Sequence, residues 1–146
     1  MKIVIFSFEK IDRSPFEEII KEYKIRVAHR FVIEERVIKS KKEDISAQID
    51  SLLNKYDNAF ICVLDENGKK ISTTDFADML IKLEQNHKRI IFLIGPPDGF
   101  LKPIRFRYDM ILSLSHMTFS HQIARLLLYE QIYRVYCAIT GHPYNK

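Results

Sequence analysis

Two short runs limit what this chain can fold into more than any other feature. Residues 59–64 read AFICVL and residues 90–94 read IIFLI, apolar at every position. A strand with one wet face alternates apolar and polar side chains, whereas one that is apolar throughout is covered on both faces. Such strands belong to a parallel sheet packed between helices. Further strands are expected at residues 3–8, at 31–38 with Glu34-Glu35-Arg36 at its centre, and at 110–114. Helical stripes run through Phe16, Ile19, Ile20 and Tyr23, through Ile45, Ile49, Leu52 and Leu53, and through Phe76, Met79, Leu80 and Leu83. Ser14 reads as an N-cap with Pro15 at the first helical position, and Thr73 or Thr74 as the cap of the third helix. Ser120 opens a last helix over 121–140, and Gly141 closes it. The order βαβαβαβ–β–α predicts an α/β fold, a parallel-sheet α/β/α sandwich. At 146 residues the chain reads as one domain, 1–146, able to bury a core without metal or disulfide.

In open parallel sheets, ligands bind beyond the carboxyl ends of the strands. Three segments leave such ends. Residues 65–68 (DENG) read as a turn, 95–99 (GPPDG) as a stiff turn, and 115–120 (SHMTFS) as a loop of small side chains with accessible main chain. Taken alone, each is weak evidence for a site. No dinucleotide fingerprint, P-loop or GxSxG elbow is present.

Charge adds a mild hint. The net charge of +4 suits an anionic partner, and five of the positive charges fall in two groups, Lys39, Lys41 and Lys42, then Arg105 and Arg107. Either group also reads as ordinary solvated surface. Cys62 and Cys137 lie in apolar runs and read as reduced core thiols of a cytoplasmic protein. His29 and His87 read as surface residues. No histidine pair has metal-ligand spacing with a carboxylate, so no metal site is expected. The start, MKIVIFSFEK, is a strand rather than a signal peptide, and no apolar run approaches the roughly 20 residues that span a membrane.

The last helix is apolar around nearly its whole circumference. Its polar side chains are Gln122, Arg125, Glu130, Gln131, Arg134 and Thr140. Such a helix must be covered on more than one side. Either an earlier helix or a second subunit does this, and a symmetric dimer is the simplest cover.

The ordered set Val63-Leu64-Asp65, FLIGPPDGF, SLSHMTFSHQIARLLLYEQIYRVY and the terminal HPY resembles the RlmH family of large-subunit rRNA methyltransferases, in the SPOUT superfamily. The most specific part is His121-Gln122 through Arg125, Glu130-Gln131 and Tyr133-Arg134, then His142-Pro143-Tyr144. The likeness covers nearly the whole chain and is vaguest over residues 30–57. It implies a C-terminal trefoil knot that binds S-adenosylmethionine, a homodimer, and methyl transfer to N3 of a pseudouridine in the helix 69 loop of 23S rRNA on the assembled ribosome. It also implies roles for residues. Leu64, Gly95, Pro96, Ser115, His116, Met117, Thr118, Phe119 and Ser120 would hold the cofactor. His121, Arg125 and Lys146 would face RNA, and His142 or Tyr144 would orient or deprotonate the target base. The family usually has Gly-Gly where this chain has Gly95-Pro96, and often Pro where this chain has Ser120. Pro96 offers no N–H and cannot adopt positive φ. Two alternatives remain: a knotted dimer that binds RNA or the ribosome without transferring methyl, and a SPOUT methyltransferase with another RNA target.

Overall fold

A computed structural model describes residues 1–8, 15–39, 44–87 and 89–144. Among these residues, five parallel strands form one sheet: β1 (Lys2–Ser7), β2 (Val32–Val37), β3 (Ala59–Lys70), β4 (Arg89–Ile94) and β5 (Met110–Ser113). Their spatial order is β2-β1-β4-β3-β5. Four helices accompany them: α1 (Glu17–Val27), α2 (Ser46–Leu53), α3 (Thr73–Asn86) and α4 (His121–Thr140).

The apolar runs behave as their composition demands. Ile3, Ile5, Cys62, Leu64, Ile90, Phe92 and Ile94 point to one face, where α1, α3 and α4 supply Ile20, Leu80, Leu128 and Ile132. Val4, Phe6, Ile61, Val63, Ile91 and Leu93 point to the other, against Ile49 and Leu53 of α2. One helix is too little to cover that second face. Phe100 and Phe106 complete it from the long connection between β4 and β5, with their rings edge to face at 5.3 Å. That connection has no helical or strand periodicity, so its contribution to the core was not predicted.

Four local expectations change. Residues 65–68 are not a turn ending a strand: β3 runs through them to Lys70, with a register shift between Leu64 and Lys69. Asn-Gly carries turn chemistry, but here it makes a bulge, because Lys69 and Lys70 resume pairing with Leu112 and Ser113. The cap of α3 is Ser72, not a threonine. Its hydroxyl accepts the Asp75 N–H at 3.0 Å and Asp75 accepts the Ser72 N–H in return, a reciprocal box. Pro15 precedes α1 instead of opening it, and Ser14 lies outside the described residues. His87 is half-buried against the Phe60 ring at 5.6 Å, not a surface residue.

Among the described residues, no helix is long and apolar enough to cross a membrane. The basic groups are not all free surface. The Arg107 guanidinium donates to the Leu53 carbonyl at 3.2 Å, closing the end of α2, while Lys41 and Lys42 lie outside the described residues. Both cysteines are buried and unpaired.

Candidate functional site

Three neighbouring strands stop pairing regularly at one level. Leu64 of β3 sits opposite both Ile94 of β4 and Leu112 of β5. Beyond that level β4 enters the 95–99 turn, β3 bulges at 65–68, and β5 gives way to the 115–120 loop. The space between them is a cavity of about 680 Å³, within the usual range for small-molecule sites.

Each wall has a local cause. In the 95–99 turn the Gly99 N–H donates to the Pro96 carbonyl at 2.8 Å, with Gly99 at φ 75°. Pro97 sits at the first corner, where its fixed φ suits the turn. Gly95 has a different reason to be glycine. A Cβ there would lie 3.0 Å from the Phe100 ring, so what approaches this backbone is the core aromatic. In the 115–120 loop, the Ser113 hydroxyl donates to the Ser115 carbonyl at 2.8 Å, and the Ser115 hydroxyl accepts the Met117 N–H at 3.0 Å. Ser120 caps α4 by accepting the Ile123 N–H at 3.3 Å. The bulge is shaped by Asp65, whose Oδ1 accepts the Asn67 N–H at 2.9 Å. Gly68 allows it to hug β5, since a Cβ there would meet the Ile111 carbonyl at 2.7 Å. Glu66 and Thr118 are hydrogen-bonded, as are Lys70 and His116, so the loop is tied once to the bulge and once to the end of β3.

Leu64, Gly95, Pro96, Ser115, Met117, Thr118, Phe119 and Ser120 all line the cavity, and His121 joins them from the first turn of α4. His116 does not; its ring turns to Lys70. Arg125 is not at a surface that could meet phosphate in this chain. It is buried, and its guanidinium is held by Glu35 at 2.6 Å and Glu17 at 2.5 Å. His142 and Tyr144 lie at the far end of α4. The Tyr144 ring packs on Tyr133 at 4.8 Å, under Arg134 at 5.2 Å, and its N–H donates to His142 Nδ1 at 3.2 Å. Lys146 lies outside the described residues.

Five polar lining residues were given no site role from sequence: Asp65, Glu66, Asn67, Asp98 and Lys102. The first four sit inside segments already marked as strand-end loops. Lys102 follows the turn and gave no signal. They set the electrostatics. Three carboxylates, Asp65, Glu66 and Asp98, face one ammonium, Lys102, so the cavity is acidic inside a chain of net charge +4. Burial alone would raise the Asp65 carboxyl, but bonds from Lys102 and the Asn67 N–H outweigh it and hold the group below its ordinary value. Burial pushes the Cys62 thiol up to about 12, which removes it as a nucleophile. An acidic, partly apolar cavity with exposed main chain fits a cationic sulfonium joined to a purine nucleoside.

Comparison with known proteins agrees with this geometry. A family model described as "Predicted SPOUT methyltransferase" matches residues 1–145. The chain is 37% identical over 153 aligned residues to a "Ribosomal RNA large subunit methyltransferase H" of Caldicellulosiruptor bescii, covering 99% of each. Proteins of the same name from Christiangramia forsetii and Campylobacter concisus are 36% and 32% identical, over 99% and 100% of each chain. A cavity at the ends of three parallel strands, an acidic lining and likeness along the whole chain converge: this protein belongs to the RlmH family of SPOUT methyltransferases.

Proposed function

We propose that the chain is a single-domain S-adenosylmethionine-dependent methyltransferase, a cytoplasmic homodimer with a C-terminal trefoil knot. Its proposed target is N3 of a pseudouridine in the helix 69 loop of 23S rRNA, on the assembled ribosome. The carrying observation is the acidic cavity of a basic chain. A cation-accepting pocket and an overall charge that attracts polyanions are what transfer from a sulfonium to RNA requires. Relatives named for large-subunit rRNA support the substrate class.

Leu64, Gly95, Pro96, Ser115, Met117, Thr118, Phe119 and Ser120 hold the cofactor in this reading, while His116, turned to Lys70, only ties the loop to β3. Its adenine would rest on main chain and on Leu114, Met117 and Phe119. When bound, S-adenosylmethionine supplies a methyl group on a good leaving group, so the protein's task is mainly alignment. His121, at the cavity and at the positive end of α4, suits the approach of a phosphate or base. Arg125 contributes to RNA binding by fixing the start of α4, and Lys146 by direct charge.

The base-handling groups require a second copy of the chain. Twenty helical residues separate the cavity end of α4 from the tail, a span of about 30 Å. His142 and Tyr144 cannot reach their own cavity across that distance. Two copies packed head to tail through α4 bring each tail to the other's cavity. Within the tail, His142 Nδ1 accepts the Tyr144 N–H, which leaves Nε2 to carry the proton. His142 then orients the base by donating, and the Tyr144 hydroxyl, which donates to Glu130 at 3.4 Å, takes the N3 proton as it passes its own to that carboxylate.

Isothermal calorimetry with S-adenosylmethionine tests the first step, and a micromolar one-to-one isotherm is expected. No binding would favour a protein that holds RNA without transferring methyl. Mass spectrometry of helix 69 from a strain lacking the gene tests the target. A methylated pseudouridine persisting there would redirect the enzyme to another RNA.

A further inference from the structure

The cavity contains an ion pair to which the reading above gives no task. The Lys102 ammonium is hydrogen-bonded to the Asp65 carboxylate, one partner from the segment after the 95–99 turn and the other from the β3 bulge. The Asp65 side chain is 9% exposed and that of Lys102 is 48% exposed. Lys102 is the one lysine or arginine among the described residues that line the cavity.

We infer that Asp65 and Lys102 form the subsite for the amino-acid end of the methyl donor, Lys102 taking its α-carboxylate and Asp65 its α-ammonium. This rests on the S-adenosylmethionine reading and deepens it. A nearly buried carboxylate needs a cationic partner, and losing one costs more than never having had it. Inserting a zwitterion into an existing ion pair leaves every charge partnered: one ammonium replaces another at Asp65, and Lys102 gains a carboxylate. The two oxygens of Asp65 are already divided for this. Oδ1 is fixed by the Asn67 N–H at 2.9 Å, while Oδ2 faces Lys102. Lys102 is half exposed on a four-carbon stem, so it can swing. The other carboxylates are less suited. Glu66 is tied to the Thr118 hydroxyl, and Asp98 occupies the corner of the turn. The apolar side chains Leu64, Ile94, Met117 and Phe119 are left for the nucleoside.

Two ligands isolate the zwitterion. S-adenosylhomocysteine carries the amino-acid end, and 5′-methylthioadenosine lacks it; both have a neutral sulfur. Calorimetry of each against the wild type, Lys102→Met, Lys102→Arg and Asp65→Asn reads the subsite directly, without turnover. Lys102→Met is expected to weaken S-adenosylhomocysteine by roughly 10- to 100-fold, the loss of one charge-assisted hydrogen bond, and to leave 5′-methylthioadenosine within about twofold. Lys102→Arg should restore most of the loss, and Asp65→Asn should show the same selectivity as Lys102→Met. If Lys102→Met weakens both ligands equally, or neither, the subsite is wrong while the methyl-donor reading stands. If the wild type binds neither ligand, the methyl-donor reading falls and the subsite with it.

Discussion

Gly95 and Phe100 show how a single residue can be recognised for the wrong reason. A glycine at a strand end suggests freedom of φ or room for a ligand, yet the described positive-φ glycines are Gly99 and Gly141. Gly95 is small because the Phe100 ring covers it, and that ring also meets Phe8 at 5.7 Å. The turn is thus fastened from behind to the core, and Pro96, whose carbonyl takes the Gly99 N–H, has no positive φ to supply. Gly95→Ala must push a buried ring. It should destabilise the protein by about 1–3 kcal/mol, seen as a lower Tm in thermal unfolding, and weaken adenosyl ligands as the turn shifts. An unchanged Tm would mean that Phe100 yields freely.

At the scale of elements, the start of α4 is anchored by charge as well as by packing. Glu35, from the middle of β2, accepts from Arg125 at 2.6 Å, from the Tyr129 hydroxyl at 2.6 Å and from Lys24 at 3.0 Å. Burial pushes its carboxyl up, but these donors prevail and bring it down to about 2. A carboxyl lowered by folding stabilises above its ordinary value, and that contribution is lost as pH falls toward the folded value. Glu35→Gln should therefore cost roughly 3 kcal/mol at pH 7. The gap in Tm between it and the wild type should close as pH falls from the ordinary glutamate range toward about 2. A gap independent of pH would mean that shape, not charge, does the anchoring. The sequence announced this element only in part. The apolar strands, the Ser120 cap and the Gly141 stop are local signals, and all were legible. Glu34-Glu35-Arg36 within a strand was visible but not interpretable, because Arg125 and Tyr129, the partners that give Glu35 its role, lie about 90 residues away. The β3 bulge was misread for a related reason: Asn-Gly states a turn locally, and only pairing with β5 converts it.

For the whole molecule, the question is which faces are left over. α1 and α3 flank α4, so earlier helices do cover part of it. Ile123, in the first turn of α4, remains 40% exposed, and so does Tyr144 in the tail beyond its last turn. Met117 at the cavity mouth is 73% exposed. A second copy across these residues would bury them and join each tail to the other cavity. Tyr144→Phe should then slow methyl transfer strongly while leaving S-adenosylmethionine affinity unchanged. Thr118→Trp, which fills the cavity, should abolish binding. Co-expressing the two variants gives the decisive measurement. Mixed dimers contain one intact pairing of cavity and tail, so about a quarter of wild-type activity should return. None returns if each chain works alone. The length of α4 then acquires a genetic meaning. Loss-of-function alleles of this one gene should sort into two complementation groups, one for each end of the helix, and alleles within a group should fail to rescue each other.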